Sequence, residues 1–183
     1  MTSTVVIIAS PREGNSRTIA LAMAEGAKEN GNTVKTYYLN KLKNVKGCQS
    51  CYGCKKTGRC VVKDDQTEIL QALRDADSII LSTPNYFGQA VAQYKLLEDR
   101  FFSFLNGDFS PNIAPNKKIA IAVTCGSGYD IAENIAKSME NVWVNSFKGI
   151  CVGKVIMKDG MSPDTAAKDS SLIAEARAIG RKL

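Results

Sequence analysis

The chain has no histidine among its 183 residues. Histidine is the commonest metal ligand and the side chain that titrates near neutral pH, so its absence excludes histidine-ligated metals and histidine-based acid/base catalysis. The sequence also has no apolar run approaching the roughly 20 residues that span a bilayer. The first three residues lead directly into TVVIIA, without the charged and apolar regions of a signal peptide. We therefore expect a cytoplasmic protein with no membrane contact.

Acidic residues are missing from residues 41–63, which hold seven of the 24 basic residues of the chain. The remainder has 17 basic against 18 acidic residues, so the net charge of +6 belongs to this segment. No helix or repeat presents these charges beside aromatic platforms, and nucleic-acid binding is not expected. The charge pattern fits either a solvated lysine-rich loop or a surface that docks an acidic redox partner. Length and a hydrophobic content of 44% predict one domain, residues 1–183.

Four of the six cysteines lie within the cysteine segment, which we define as residues 44–64, in the run GCQSCYGCKKTGRC. They are Cys48, Cys51, Cys54 and Cys60. Four-cysteine runs hold iron-sulfur clusters, whereas disulfides are rare in the cytosol. Structural zinc prefers two separated ligand pairs, and this spacing fits that pattern poorly. The spacing therefore favours an iron-sulfur cluster, with zinc and free reactive thiols as the open alternatives.

Outside the cysteine segment, strand-like and helix-like patterns alternate along the chain, which is typical of a parallel α/β fold. The pattern predicts a three-layer sandwich of five strands and five helices. The predicted strands cover residues 4–9, 33–39, 78–82, 118–124 and 150–157, and the predicted helices cover residues 16–29, 65–75, 92–105, 130–145 and 165–183, with Asp65 capping the second helix.

Ligands of such sheets bind at the carboxyl ends of the strands, where the strand order reverses. The first candidate segment is SPREGNS, at residues 10–16, which enters a helix whose N-terminus favours an anion such as phosphate. It lacks the glycine and lysine pattern of a Walker A loop. Asn15 or Ser16 could equally do no more than cap that helix.

Two further segments follow the third and fourth predicted strands. In TPNYFGQ, Tyr86 and Phe87 could lie along a planar ring or could plug the end of the strand. In TCGSG, the glycines permit close approach of the backbone to a flat ligand. Cys125 in this segment could also be an inert buried thiol, as we expect for Cys151 in the fifth strand.

Together with the cysteine run, these three segments resemble the iron-sulfur flavoprotein family, within the NAD(P)H-dependent FMN reductases and flavodoxin-like proteins. The likeness runs from SPREGNSRT through CQSCYGCKKTGRCVVKDD to STPNYFGQAVAQYKLLEDR. It implies a flavodoxin-like three-layer sandwich with a five-stranded parallel sheet in the order 2-1-3-4-5. FMN would bind at the strand ends, and a 4Fe-4S cluster would bind on the cysteine-rich loop after strand 2.

The resemblance also implies which residues surround FMN. Those around its phosphate would be Ser10, Arg12, Asn15, Ser16 and Thr18. Those bordering the isoalloxazine would be Pro84, Asn85, Tyr86 and Phe87, with Cys125, Gly126 and Ser127 on its other side.

The function that the resemblance implies is electron transfer between the cluster and FMN. A ferredoxin or another small redox protein would be the partner, and the protein would be a homodimer or homotetramer. One alternative is a cluster-free NAD(P)H-dependent FMN or quinone reductase. Another is a redox-sensing or zinc-stabilised binding protein, whose cysteine loop changes shape on oxidation.

Overall fold

The structure is a computed structural model that describes residues 2–126 and 128–183, with only the backbone described at Tyr129. The strands are β1 (Ser3–Ile8), β2 (Thr33–Tyr38), β3 (Ser78–Tyr86), β4 (Gln89–Ala90), β5 (Lys118–Thr124) and β6 (Ile150–Met157). The α-helices are α1 (Asn15–Glu29), α2 (Gly53–Thr57), α3 (Gln66–Asp75), α4 (Ala92–Glu98), α5 (Tyr129–Asn141), α6 (Thr165–Lys168) and α7 (Ser170–Gly180). In the described parts of the chain, no helix combines the length and the apolar character needed to cross a membrane.

The main strands form one parallel sheet in the order β2-β1-β3-β5-β6. This confirms the predicted order, because the two-residue β4 pairs only with the end of β3 and lies off the path. Successive side chains of β1 face opposite sides of the sheet. Val5 and Ile7 pack with residues of α3, α4 and α5, while Val6 and Ile8 pack with residues of α1 and α7. A parallel sheet covered on both faces explains why its inner strands β1, β3 and β5 contain continuous apolar runs, whereas the edge strand β2 is more polar.

The third strand is longer than its apolar run predicts. It continues to Tyr86, since Thr83 and Pro84 still pair with β5 and the last two residues pair with β4. Phe87 and Gly88 connect β3 to β4 with φ angles of 51° and 78°. Two consecutive positive φ angles are typical of a two-residue hairpin turn. The segment TPNYFGQ, which follows the third predicted strand, therefore contains the end of β3 and a hairpin turn. The polar residues after Ser82 lack the apolar pattern from which the strand was predicted.

Three predicted helices are interrupted. The helix predicted at 92–105 becomes a 3₁₀ turn at Asp99–Phe104 after α4, and the one at 130–145 ends in a π turn at Val142–Ser146. The C-terminal helix breaks at Asp169, whose Oδ1 accepts the backbone N–H of Leu172 at 3.0 Å and so caps α7. Aspartate side chains compete with the backbone in this way, which favours caps over helix interiors.

Helices α1 and α7 meet through two glycines. A Cβ on Gly26 would lie 2.0 Å from the carbonyl oxygen of Arg177, and a Cβ on Gly180 would lie 2.0 Å from that of Met23. The backbones of α1 and α7 are therefore in direct contact, and the two helices cover one face of the sheet together.

We expect Gly26→Ala to lower the free energy of unfolding by about 2 kcal/mol, because overpacking outweighs the about 1 kcal/mol that alanine gains in a helix interior. Urea unfolding measures the change. Lys28→Ala, in the exposed last turn of the same helix, is the control and should stay within about 0.5 kcal/mol. A Gly26→Ala protein as stable as the parent would show that α7 moves aside freely.

Candidate functional site

A cavity of about 200 Å³ opens at the carboxyl ends of β1, β3 and β5. Nine residues of its lining are among those that the family resemblance places around FMN: Ser10, Arg12, Asn15, Ser16, Pro84, Asn85, Tyr86, Cys125 and Gly126. The strand order reverses between β1 and β3, and this is where doubly wound sheets bind their ligands. The fold thus brings together three segments that are distant in sequence.

Three residues predicted at the cofactor lie elsewhere or are not described. The hydroxyl of Thr18 donates to the carbonyl of Gly14 at 3.2 Å, within α1. Phe87 is fully exposed at the tip of the hairpin. Ser127 lies outside the described residues. Neither Thr18 nor Phe87 lines the cavity, and the part of all three in cofactor binding stays a prediction.

A fourth wall comes from the segment after β6, which supplies Gly160 and Met161 to the lining. Gly14 and Thr124 also contribute. The sequence prediction does not include Gly160 and Met161, although KDGMSP follows the fifth predicted strand and contains the glycine and proline of a strand-end loop. Applying the strand-end rule to that segment would have found them.

Asn15 fastens this fourth wall to the start of α1. Its Nδ2 donates to the carbonyls of Gly160 at 3.1 Å and Ser162 at 2.7 Å, and its Oδ1 accepts the backbone N–H of Ala166 at 2.9 Å. The side chain is buried, and the helix begins at Asn15 itself. Asn15 therefore holds two segments of the site together instead of capping its own helix.

The start of α1 is suited to an anion. The first helical hydrogen bond runs from the N–H of Thr18 to the carbonyl of Gly14, at 2.9 Å. The preceding N–H groups have no acceptor within the helix, and the first turn contains no acidic residue. Arg12 lies exposed at the rim, with its Nη2 3.2 Å from the carbonyl oxygen of Met161. Free N–H groups, the helix dipole and a guanidinium together favour a phosphate.

The four clustered cysteines line a second, smaller cavity of about 20 Å³ between the cysteine segment and the turn at Asp99–Phe104. Cys48 and Cys51 are exposed, Cys54 is buried and Cys60 is partly buried. Across residues 2–126 and 128–183, no group of three or more cysteine, aspartate or glutamate side chains is arranged to hold a metal ion. The fold therefore brings the four thiols to one cavity, but their sulfur atoms are not arranged around a single metal position.

Charged side chains fasten the cysteine segment to the sandwich. Lys55 donates to the carbonyls of Phe102 at 2.6 Å and Leu105 at 2.7 Å, and its Nζ lies 3.5 Å from the centre of the Phe102 ring. Burial raises the pKa of the neighbouring Cys54 thiol, and the charge of Lys55 opposes that shift. Lys55 is thus an internal anchor. The other six basic residues of the 41–63 stretch are exposed: Lys41, Lys43, Lys46, Lys56, Arg59 and Lys63.

The ends of the cysteine segment are held by two aspartates. Oδ2 of Asp65 accepts the backbone N–H groups of Asn44 at 3.0 Å and Lys43 at 2.8 Å, which hold the pKa of Asp65 below its usual value. Asp64 accepts the N–H of Gln66 at 3.0 Å through Oδ1. The residue at the start of α3 that was expected to cap it, Asp65, therefore closes the loop instead.

Arg100 is the most buried charge beside the cysteines, with 1% of its surface exposed. Its Nη1 lies 2.5 Å from Oδ1 of Asp64, and neither of these two side chains is exposed. Its Nη2 donates to the carbonyl of Val62 at 2.9 Å and to Sγ of Cys60 at 3.4 Å. Burial would lower the pKa of Arg100, but the hydrogen bonds to Asp64 and Cys60 outweigh it and hold that pKa above its ordinary value.

The parallel sheet and the cavity at its switch point define a flavodoxin-like protein. The family model of the NADPH-dependent FMN reductases matches residues 2–161, and the chain belongs to this family. It is an FMN-dependent oxidoreductase. The resemblance to this group that the three strand-end segments and the cysteine run indicate is thereby confirmed.

Individual proteins agree with this placement. An iron-sulfur flavoprotein from Methanosarcina thermophila is 29% identical over 178 residues, which cover 97% of this chain and 91% of that protein. One from Methanocaldococcus jannaschii is 38% identical over 96 residues, covering 51% of this chain and 49% of that protein. Among solved structures, an NAD(P)H:quinone oxidoreductase from Methanothermobacter marburgensis superimposes with a TM-score of 0.70 at 21% identity, covering 99% of this chain and 96% of that one.

Proposed function

We propose that the protein is an electron-transfer flavoprotein that passes electrons between FMN and a 4Fe-4S cluster held by Cys48, Cys51, Cys54 and Cys60. The observation that carries this proposal is the gathering of these four cysteines around one cavity, in a chain that has a separate cavity suited to an anion at the switch point of its sheet. The similarity to proteins named iron-sulfur flavoproteins supports it.

The residues of the larger cavity fit FMN. Ser10 and Ser16 offer hydroxyls and Arg12 a guanidinium to its phosphate, and Asn15 and Ser16 offer backbone N–H groups at the start of α1. The side-chain amide of Asn15 is already paired with Gly160, Ser162 and Ala166. In this proposal, Pro84, Asn85 and Tyr86 border one side of the isoalloxazine, and Cys125 and Gly126 border the other. Bound FMN supplies the exchange between two-electron and one-electron transfer, while the protein supplies binding, orientation and electrostatics.

The cysteine cavity fits an anionic, sulfur-ligated group by its chemistry. Four thiols are the ligand set of iron-sulfur clusters. Nε of Arg100, which also lines this cavity, is buried and has no hydrogen-bond partner among the described residues. A buried unpaired donor costs about 1–3 kcal/mol, and an anionic group bound there could accept from it. The cavity of about 20 Å³ is narrow, so binding a cluster requires the thiols that line it to rearrange.

Anaerobic purification followed by a visible spectrum and by iron, sulfide, zinc and FMN assays on one sample tests the proposal. We expect about four irons and four sulfides with one FMN per chain, since four cysteines can ligate one cubane. Tightly bound zinc and no iron would contradict the proposed cluster and favour a cysteine segment that zinc stabilises. A protein that takes up no flavin would contradict both redox functions.

The second candidate is a cluster-free NAD(P)H-dependent FMN or quinone reductase. Its support is the family to which the chain belongs and the lack of convergence of the described thiols on one point. FMN without iron in the anaerobic protein, together with NAD(P)H oxidation coupled to quinone reduction, would establish it. Stoichiometric iron would argue against it.

We also propose a ferredoxin or other small acidic redox protein as partner, in the cytoplasm, with the protein acting as a homodimer or homotetramer. Six exposed basic residues lie in the cysteine segment or directly before it and could steer such a partner: Lys41, Lys43, Lys46, Lys56, Arg59 and Lys63. Sedimentation at several concentrations tests the oligomer, and a monomer throughout would contradict it.

The rate of reduction by an acidic ferredoxin should fall about tenfold when the ionic strength rises from about 0.05 M to 0.5 M, because salt screens exposed charges. Stopped-flow measurement checks this. Lys56→Glu should slow the reaction at low salt, whereas Lys182→Glu, an exposed lysine outside the segment, should not. A rate indifferent to salt would count against docking through the lysines.

A further inference from the structure

Arg100 connects the cysteine segment to the sandwich through both arms of its guanidinium. One nitrogen, Nη1, contacts Asp64, and the other, Nη2, contacts Cys60 and the carbonyl of Val62. Arg100 lies in the 3₁₀ turn at Asp99–Phe104, which follows α4. This turn and the cysteine segment line opposite sides of the cavity. These contacts tie one particular cysteine, Cys60, to the rigid part of the molecule.

We propose that Arg100 is a positioning residue for the group bound by the cysteines, which fixes Cys60 and raises the reduction potential of a cluster bound there by donating to its sulfur ligand. This inference rests on the proposed function for the cluster. Reduction adds one electron and makes a thiolate-ligated cluster more negative. A hydrogen bond to a ligating sulfur therefore stabilises the reduced state more than the oxidised state, and the potential rises.

Other cations near the loop have different partners. Arg74 donates to the carbonyls of Gly58 at 2.8 Å and Ser103 at 3.1 Å, and Lys55 donates to those of Phe102 and Leu105. Both stiffen the segment through carbonyl oxygens. Arg100, in contrast, donates directly to a cysteine sulfur of this segment.

Arg100→Lys removes the hydrogen bond to Cys60 and keeps the positive charge beside Asp64. Lysine keeps the positive charge that Asp64 needs, because an unpaired buried carboxylate would endanger folding. Its single ammonium group has no planar fork with which to reach Asp64 and Cys60 together. Arg74→Lys is the matched control, since it makes the same replacement in an arginine that also fastens the loop.

Redox titration of the anaerobic, cluster-loaded proteins, followed by visible and electron paramagnetic resonance spectra, is the first measurement. We expect Arg100→Lys to shift the equilibrium for cluster reduction about tenfold toward the oxidised state, which is about 59 mV for one electron. Arg74→Lys should leave the potential unchanged. An unchanged potential in Arg100→Lys, or an equal shift in both variants, would overturn the tuning role.

Hydrogen exchange of residues 60–64, on the proteins as purified, is the second measurement. We expect exchange there to be about tenfold faster in Arg100→Lys than in the parent, and near the parental rate in Arg74→Lys. If the parent contains no iron, the proposed function fails, and this measurement alone decides the positioning role. Unchanged exchange would then overturn it.

Discussion

Replacing Cys48 by alanine should reduce the iron content from about four atoms per chain to less than one and leave FMN bound. Four cysteines are needed to ligate one cubane, and Cys48 is one of the four that line the same cavity. Its side chain is exposed, so its removal costs little in packing. The cavity proposed for FMN is built from other segments and should keep its shape. Iron, sulfide and FMN assays on anaerobic protein measure the change.

Cys151→Ala is the matched control for this experiment. Cys151 lies in β6, is partly buried and does not line the cysteine cavity. Burial raises the pKa of its thiol, as is typical of an inert cysteine. This variant should retain full iron and full flavin. A complete iron complement in Cys48→Ala would contradict the assignment of Cys48 as a cluster ligand. Loss of iron in both variants would indicate a general loss of folding.

Replacing Asn15 by aspartate should damage both stability and flavin binding. The two N–H donors of the amide give way to a carboxylate oxygen that faces the carbonyls of Gly160 and Ser162, at distances now 3.1 and 2.7 Å. The other carboxylate oxygen keeps the N–H of Ala166, but the oxygen that faces the carbonyls has no donor, and such a buried charge costs about 3 kcal/mol of unfolding free energy. The same negative charge faces the cavity proposed for the FMN phosphate, so the Kd for FMN should rise at least about tenfold. Urea unfolding and flavin fluorescence titration measure the two effects.

The effect of Asn15→Asp should depend on pH. Burial and the facing carbonyls raise the pKa of the introduced carboxyl above its ordinary value of about 3.9. A raised pKa favours the neutral form in the native state, so the stability of the variant is closest to that of the parent at low pH. The loss of stability grows as the pH rises from about 3.9 through the raised pKa of the native state. Asn30→Asp, at the exposed C-terminal end of the same helix, should change stability by less than about 1 kcal/mol. Equal flavin affinity in Asn15→Asp and the parent would remove Asn15 from the phosphate site.

Much of the fold could be predicted from local sequence pattern. The inner strands β1, β3 and β5 contain apolar runs because the sheet is covered on both faces. The order of the strands follows from the family resemblance. The predicted ends of strands and helices were less accurate where contacts between residues distant in sequence determine them. The pairing of β3 with β4 and β5 extends it to Tyr86, and the side chain of Asp169 ends a helix that the apolar period alone would continue.

The candidate sites show the same division. The spacing of the four cysteines and the three strand-end segments were visible in the sequence, because each is a short run of residues with recognisable chemistry. Which residues share a wall was decided by the crossovers between parallel strands, which bring Gly160 and Met161 to the cavity proposed for FMN, beside Ser10.

By itself, the sequence determined the alternation of strands and helices, the number of thiols in the cysteine segment and the absence of histidine, since these are properties of composition and local spacing. Only the tertiary structure decided that Asn15 holds the fourth wall of the cavity proposed for FMN and that Arg100 reaches Cys60. A hydrogen bond between residues 40 or 147 positions apart depends on how whole elements pack, and no local pattern encodes that packing.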